Sequence, residues 1–270
     1  VIDMSATRLL AHLNIAALGM VNAQIGELDD PRYADVARAV AVAREHRDVI
    51  VGIKVRLTAG QVVSERGGLR PLHLAREAAD ALGLPIMVHP NGAWAGSLDE
   101  VLAVMKAGDI LTHCFHGKAC GVLDEAECVR PAVVAARERG VLFDVGHGQG
   151  SFAWSVAERA IAQGLVPDTI SSDLHHYNTA GPVYDLATTL TKFLHLGLTL
   201  DDALARATAA PARWLRMSDA IGTLAPGASA DVVVFDHVSG PVELEDSEGE
   251  TRLGSERLVP VAVVRAGMRV

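Results

Sequence analysis

The chain has 270 residues, 50% of them hydrophobic and 21% charged, with a formal net charge of −9. So apolar a sequence buries a substantial core and is not disordered, and its acidity, with no basic block, disfavours nucleic-acid and anionic-membrane partners. No apolar run reaches membrane-spanning length and no charged-then-apolar leader opens the chain, while Cys114, Cys120 and Cys128 suit neither a disulfide framework nor a CxxC zinc pair, so the expectation is a cytoplasmic globular protein with reduced cysteines.

Residues 7–15, TRLLAHLNI, read as a strand with His12 and Asn14 among the apolar positions. Pro31 opens a helix to about His46, with Val36, Ala37, Val40 and Ala43 spaced for one buried face. Residues 49–57, VIVGIKVRL, then have the Val and Ile content of a strand covered on both faces, yet Lys54 stands in their middle. A buried ammonium is costly unless paired, neutralised or chemically changed, so either Lys54 snorkels to water or it has a chemical task.

Pro71 starts a helix that ends near Gly83, and 84–89, LPIMVH, form a short buried strand. Ser97 caps a helix over 98–107, the strand 109–113 follows, and a helix over 131–139 precedes the strand 141–145. Ser151 is placed to cap a helix over 153–163, and 168–173 make a further strand. A helix over 184–196 and two more to Arg216 complete this part. Beyond it, 230–236 and 259–264 are β-branched runs joined by an acidic loop, 243–250, read as solvated surface.

Strands separated by helices, again and again, mean a parallel sheet with helices outside. Six strands, near residues 9, 51, 86, 111, 143 and 171, fall short of the eight in a (β/α)8 barrel. The fold is therefore an open doubly wound sheet or a TIM-like barrel with two strands preceding Val1. The tail looks like part of a small β domain.

At or just past the strand ends stand Lys54, His89, His113, His147 and Asp173. In parallel α/β folds these ends converge where active sites are built, and five ligand-capable side chains at equivalent places ask for a common task. Neutral imidazoles with a carboxylate suit zinc, which keeps an open position for water and lowers its pKa to about 7. Asp173 could take the proton and pass it to a leaving group. Lys54 as an ammonium would repel cations, whereas its neutral amine can add carbon dioxide to give a carbamate, an anionic bidentate ligand.

The set VGIKVR with Lys54, MVHPNG with His89, THCFHG with His113 and SSDLHH with Asp173 resembles the amidohydrolase superfamily of binuclear metal-dependent hydrolases, most closely its dihydroorotase-like amidohydrolase/deacetylase group. The resemblance implies two divalent ions, zinc in the first instance, bridged by a carboxylated Lys54, with His89 and His113 on one ion and Asp173 on the other as base. IGTLAPGASADVVVFD, with Gly222, Gly227, Ala230 and Asp231, is similar to the superfamily's return from barrel to β-sandwich. The implied architecture is an α/β, (β/α)8 TIM-like barrel with six of its βα units in residues 1–216, and the C-terminal part of a small β-sandwich in 217–270. The superfamily's His-x-His triplet is missing from the sequence, and the expectation is that it lies upstream of Val1.

His147, Asn91, His116, Lys118 and His175 are the candidates for touching substrate, with loop hydrogen bonding as the alternative for each. Arg56 shares the face of Lys54 and binds either a substrate carboxylate or an internal acid. The first reading is a hydrolase in which metal-activated hydroxide cleaves an amide or ester of N-acyl amino acids or related small acyl compounds. The alternatives are a cyclic amidase of the dihydroorotase type, a metal-free α/β protein binding phosphate at the 146–150 turn, and a non-catalytic scaffold. The partner expected is a small-molecule substrate, with a homo-oligomer left open.

Overall fold

Along the strand that carries Lys54 the side chains alternate: Ile53, Val55 and Leu57 are fully buried, whereas Lys54 and Arg56 are only partly so. The computed structural model describes residues 4–19, 26–58, 67–90 and 97–270. By contacts the chain divides into two units, one holding Leu9–Cys114 and Lys118–Phe143, the other Phe115–Gly117 and Asp144–Val270 together with the first residues through Arg8.

The first unit is built on five parallel strands, β1 (Ala11–Asn14), β2 (Ile50–Arg56), β3 (Ile86–His89), β4 (Ile110–Leu111) and β5 (Leu142–Phe143), in that spatial order. Between them run α1 (Val36–Glu45), α2 (Arg70–Leu82), α3 (Leu98–Val104) and α4 (Pro131–Glu138). Pro31–Tyr33 form a separate 3-10 turn, and α1 begins only after Asp35, whose carboxylate accepts from Arg38 N–H. Its buried face is Ala39 and Ala43, with Val36 and Val40 part-buried beside them, and Ala37 is exposed. Pro71 lies in the first turn of α2 and Gly83 ends it with φ 66°, a left-handed cap that glycine adopts without steric cost. α2 packs on β2 and β3 through Leu72, Ala75, Ala78 and Ala79, all fully buried. Ser97 and Glu100 cap α3 reciprocally.

The second unit contains α5 (Trp154–Ala162), α6 (Leu186–His195), α7 (Leu200–Ala207), α8 (Ala209–Trp214), the long hairpin β6 (Val232–Glu245) and β7 (Thr251–Arg265), and β8 (Met268–Arg269). Residues 168–173 do not form a full strand: a single parallel bridge joins Asp144 and Thr169. Ser151 does not cap α5, whose preceding residue Ala153 offers no side-chain bond. The Trp154 N–H is instead taken by Asp246 Oδ2 at 2.9 Å, from the acidic loop. That loop is therefore not all solvated surface, since Asp246 is 1% exposed and also accepts from the N–H groups of Glu248 and Glu250. Phe115, Phe152, Trp154 and Phe193 form the aromatic core here. Thr191 Oγ1 accepts from Leu258 N–H and donates to the Ala187 carbonyl, fastening β7 to α6.

Candidate functional site

Register sets the candidates of the first unit side by side. Asn14 lies opposite Lys54, and Arg56 opposite His89, so these side chains share one face of the sheet. Lys54 is thus inside β2 rather than past its end, while His89 closes β3 and His113 stands just beyond β4. The His89 and His113 rings meet edge to face with centroids 4.2 Å apart and planes at 69°. His113 is buried and holds a left-handed φ of 61°. For a residue with a side chain that conformation costs roughly 1–2 kcal/mol, and such outliers gather at functional sites. Thr58 Oγ1 lies 3.1 Å from His89 Nε2.

Two further residues of this unit take part, of which only His12 is marked in the sequence, by its place among apolar positions. Glu27, in GELDD, reads as one surface acid among several, yet it is 3% exposed. It accepts from Asn14 Nδ2 at 3.0 Å and stands 3.7 Å from Arg56 Nη1, so Arg56 meets an internal acid. His12 is lowered to about 4, first by burial and then by the positive charge of Lys54. A Cβ at Gly52, opposite His12 in the sheet, would come within 2.7 Å of His12 Nδ1, so only glycine leaves the imidazole its place.

Among the described residues no group of three or more His, Cys, Asp or Glu side chains gathers to hold a metal ion. Lysine lies outside that set, and the fit rests on it. The His89 and His113 rings, with centroids 4.2 Å apart, are near enough for one nitrogen of each to approach one ion. A carboxylated Lys54, from the adjoining strand, would be the third donor. On those terms the residues present fit a divalent ion.

In the second unit Asp144 accepts from Thr169 Oγ1 at 2.6 Å and Ser171 Oγ at 2.8 Å, fixing the segment that leads to Asp173. Asp173 itself has φ 48°, a second left-handed candidate. Buried Asn178 donates Nδ2 to the Asp173 carbonyl at 3.0 Å and accepts from His175 N–H at 2.9 Å. The His147 and Gly148 N–H groups donate to the carbonyls of Ser171 and Ser172 at 3.1 and 3.0 Å. A Cβ on Gly148, which has φ +56°, would stand 2.6 Å from Asp173 Oδ2, so the carboxylate lies against bare backbone.

His147 is fully buried with both ring nitrogens engaged: Nδ1 is 3.0 Å from the Gly148 carbonyl and Nε2 is 2.7 Å from Lys192 Nζ. One tautomer serves both, with Nδ1–H donating and Nε2 accepting. Burial, and next the Lys192 charge, lower His147 to about 3, so it is neutral at neutral pH. His116 is buried, His175 half-buried and Lys118 exposed, while Asn91 lies outside the described residues. At the 146–150 turn, the phosphate reading meets Asp246, which puts a carboxylate on the first N–H of α5 where an anion would need it.

A family model described as "Amidohydrolase family" matches residues 70–270. The chain is 37% identical over 251 residues to a protein named deacetylase from Agrobacterium fabrum, spanning 93% of this chain and 61% of that protein. It is 36% identical over 269 residues to a deacetylase of Enterococcus faecalis, spanning 98% of this chain and 71% of that one. Among solved structures it is similar to an adenine deaminase, with a TM-score of 0.93 and 35% identity over 99% of this chain and 72% of the other. It is also similar to a dihydroorotase, with a TM-score of 0.88 and 34% identity over 100% of this chain and 70% of the other. The fold class is the expected one, α/β with βα units of the TIM-like barrel type and a small C-terminal β segment.

Proposed function

The chain belongs to the amidohydrolase family, and from that premise we propose that its protein is a metal-dependent hydrolase cleaving an amide or ester bond in N-acyl amino acids or related small acyl compounds. The observation that carries the reading is the His89–His113 ring pair at 4.2 Å on the unit whose sheet presents Lys54. The acyl preference is supported by the names of the deacetylase relatives, of which the chain spans 61% in the first case. A second reading, a cyclic amidase, is supported by the likeness to a dihydroorotase.

Lys54 as a carbamate formed from carbon dioxide, His89 and His113 would hold one divalent ion, zinc in the first instance, and Asp173 is the proposed ligand of a second. When bound, such ions supply an activated water at neutral pH and polarise the substrate carbonyl. Asp173 takes the proton of the attacking water and delivers it to the leaving group. This role is supported by Asn178, which holds the Asp173 main-chain carbonyl, and by the bare backbone of Gly148 beside the carboxylate. His116, His175, Lys118, Asn91, His147 and Arg56 remain the candidates for orienting substrate, with His147 and Arg56 acting from within hydrogen-bonded and ion-paired positions. In this reading 1–216 carry the hydrolase barrel and 217–270 part of a β-sandwich. Among the described residues no helix is long and apolar enough to cross a membrane, and the setting we propose is the cytoplasm.

The test is metal analysis and turnover of the full-length protein on N-acetyl amino acids, dihydroorotate and adenine. Asp173→Asn is expected to abolish hydrolysis while most metal stays bound, and Lys54→Ala to lose the metal. A metal-free protein with full turnover overturns the reading, and unchanged turnover in Asp173→Asn removes that residue from the base role.

A further inference from the structure

Lys192, on α6, is a charged residue in the fully buried core, 1% exposed. Its ammonium has three hydrogens and meets three acceptors: His147 Nε2 at 2.7 Å, the Pro182 carbonyl at 2.8 Å and the Glu245 carbonyl at 2.6 Å. Burial lowers it to about 8 against the opposing pull of Asp246 and Glu245, so it remains an ammonium at neutral pH. A methionine would fill the same space without the desolvation cost, so the position asks what the charge holds in place. A compact ammonium sends three hydrogens from one nitrogen, in a pyramidal array, to acceptors on three different segments, an array that a planar guanidinium does not offer.

What it holds is the turn beside Asp173. Lys192 fixes the tautomer and orientation of His147, and His147 returns its Nδ1–H to the Gly148 carbonyl. The Ser247 hydroxyl reaches the same carbonyl at 3.1 Å from the tip of the β6–β7 hairpin. The N–H groups of His147 and Gly148 then clasp the carbonyls of Ser171 and Ser172, and Asp173 Oδ2 rests against Gly148. The geometry points to Lys192 as a positioning residue: through His147 and the carbonyls of Pro182 and Glu245 it locks the 146–148 turn, and through that turn it sets where the Asp173 carboxylate stands. The inference rests on the proposed proton-handling role of Asp173.

The test compares Lys192→Met with Asp173→Asn in the full-length protein, using N-acetyl amino acids as substrates. Lys192→Met is expected to lower kcat roughly ten- to a hundredfold with KM within about twofold and metal content unchanged, a split that a general loss of structure does not give. Full kcat in Lys192→Met beside an inactive Asp173→Asn overturns the positioning role alone, whereas full activity in Asp173→Asn overturns the reading beneath it. Histidine 15N spectra of the wild-type protein, assigned with His147→Asn, decide the matter even where Lys192→Met does not fold. They are expected to show His147 protonated at Nδ1 and bare at Nε2, and a proton on Nε2 overturns the proposal.

Discussion

A methyl group on Gly148 would meet Asp173 Oδ2 at 2.6 Å, on a backbone whose φ of +56° already disfavours a side chain. Gly148→Ala is expected to push the carboxylate aside, lowering kcat on N-acetyl amino acids roughly tenfold or more and stability by about 1–2 kcal/mol. Unchanged kcat and urea midpoint together would count against the close approach. Gly148 was legible only as part of a glycine-rich turn, because the atom that forbids a Cβ belongs to a residue elsewhere in the chain. Lys54, His89 and His113 were legible because a ligand-capable side chain inside or ending an apolar run is conspicuous. Lys192 was not, since a lysine in TLTKFLHLG reads as the solvated side of a helix and its acceptors come from 45, 10 and 53 residues away. Glu27 and Asn178 escaped for the same reason: their burial is decided by what folds over them.

Helix starts show the same division between local and distant causes. The cap of α3 is local, and Ser97 was read from the sequence while its reciprocal partner Glu100 was not; Ser97→Ala is expected to cost about 1 kcal/mol in urea unfolding. The cap of α5 comes from Asp246, 92 residues on, so no local pattern announces it. Asp246→Ala strands the buried Trp154 N–H and frees the part-buried N–H groups of Glu248 and Glu250, and is expected to cost about 2–4 kcal/mol, clearly more than Ser97→Ala. Equal losses would show that α5 has another acceptor. The hairpin is longer than the β-branched runs suggested, because Ser239, Gly240 and the exposed acids near its tip look like loop. They are strand residues held by pairing from Val232–Val264 to Glu245–Thr251, with register shifts at 234/235 and 239/242.

Over the whole molecule, buried ionisable groups tie stability to pH. His147 titrates at about 3 when folded and at 6.5 when exposed, so between those values the unfolded chain binds more protons. Stability is therefore full above about 6.5 and falls as pH drops toward 3, by on the order of a few kcal/mol. Lys192, lowered from 10.5 to about 8, adds a second window in which stability rises with pH. Urea midpoints from acid to alkaline pH should show both slopes, His147→Asn weakening the first, to which buried His12 also contributes, and Lys192→Met losing the second; a flat profile in the wild type contradicts both. The fold class was legible at this scale because repeated alternation of strand and helix is local, whereas the division of contacts into two units was not. The hairpin tip has one more consequence, in the order of synthesis. A ribosome delivers the His147–Gly148 turn long before Ser247, whose hydroxyl reaches its carbonyls from as far as 100 residues downstream. The candidate base thus gains its final surroundings late in the birth of the chain, so that chemistry waits on translation.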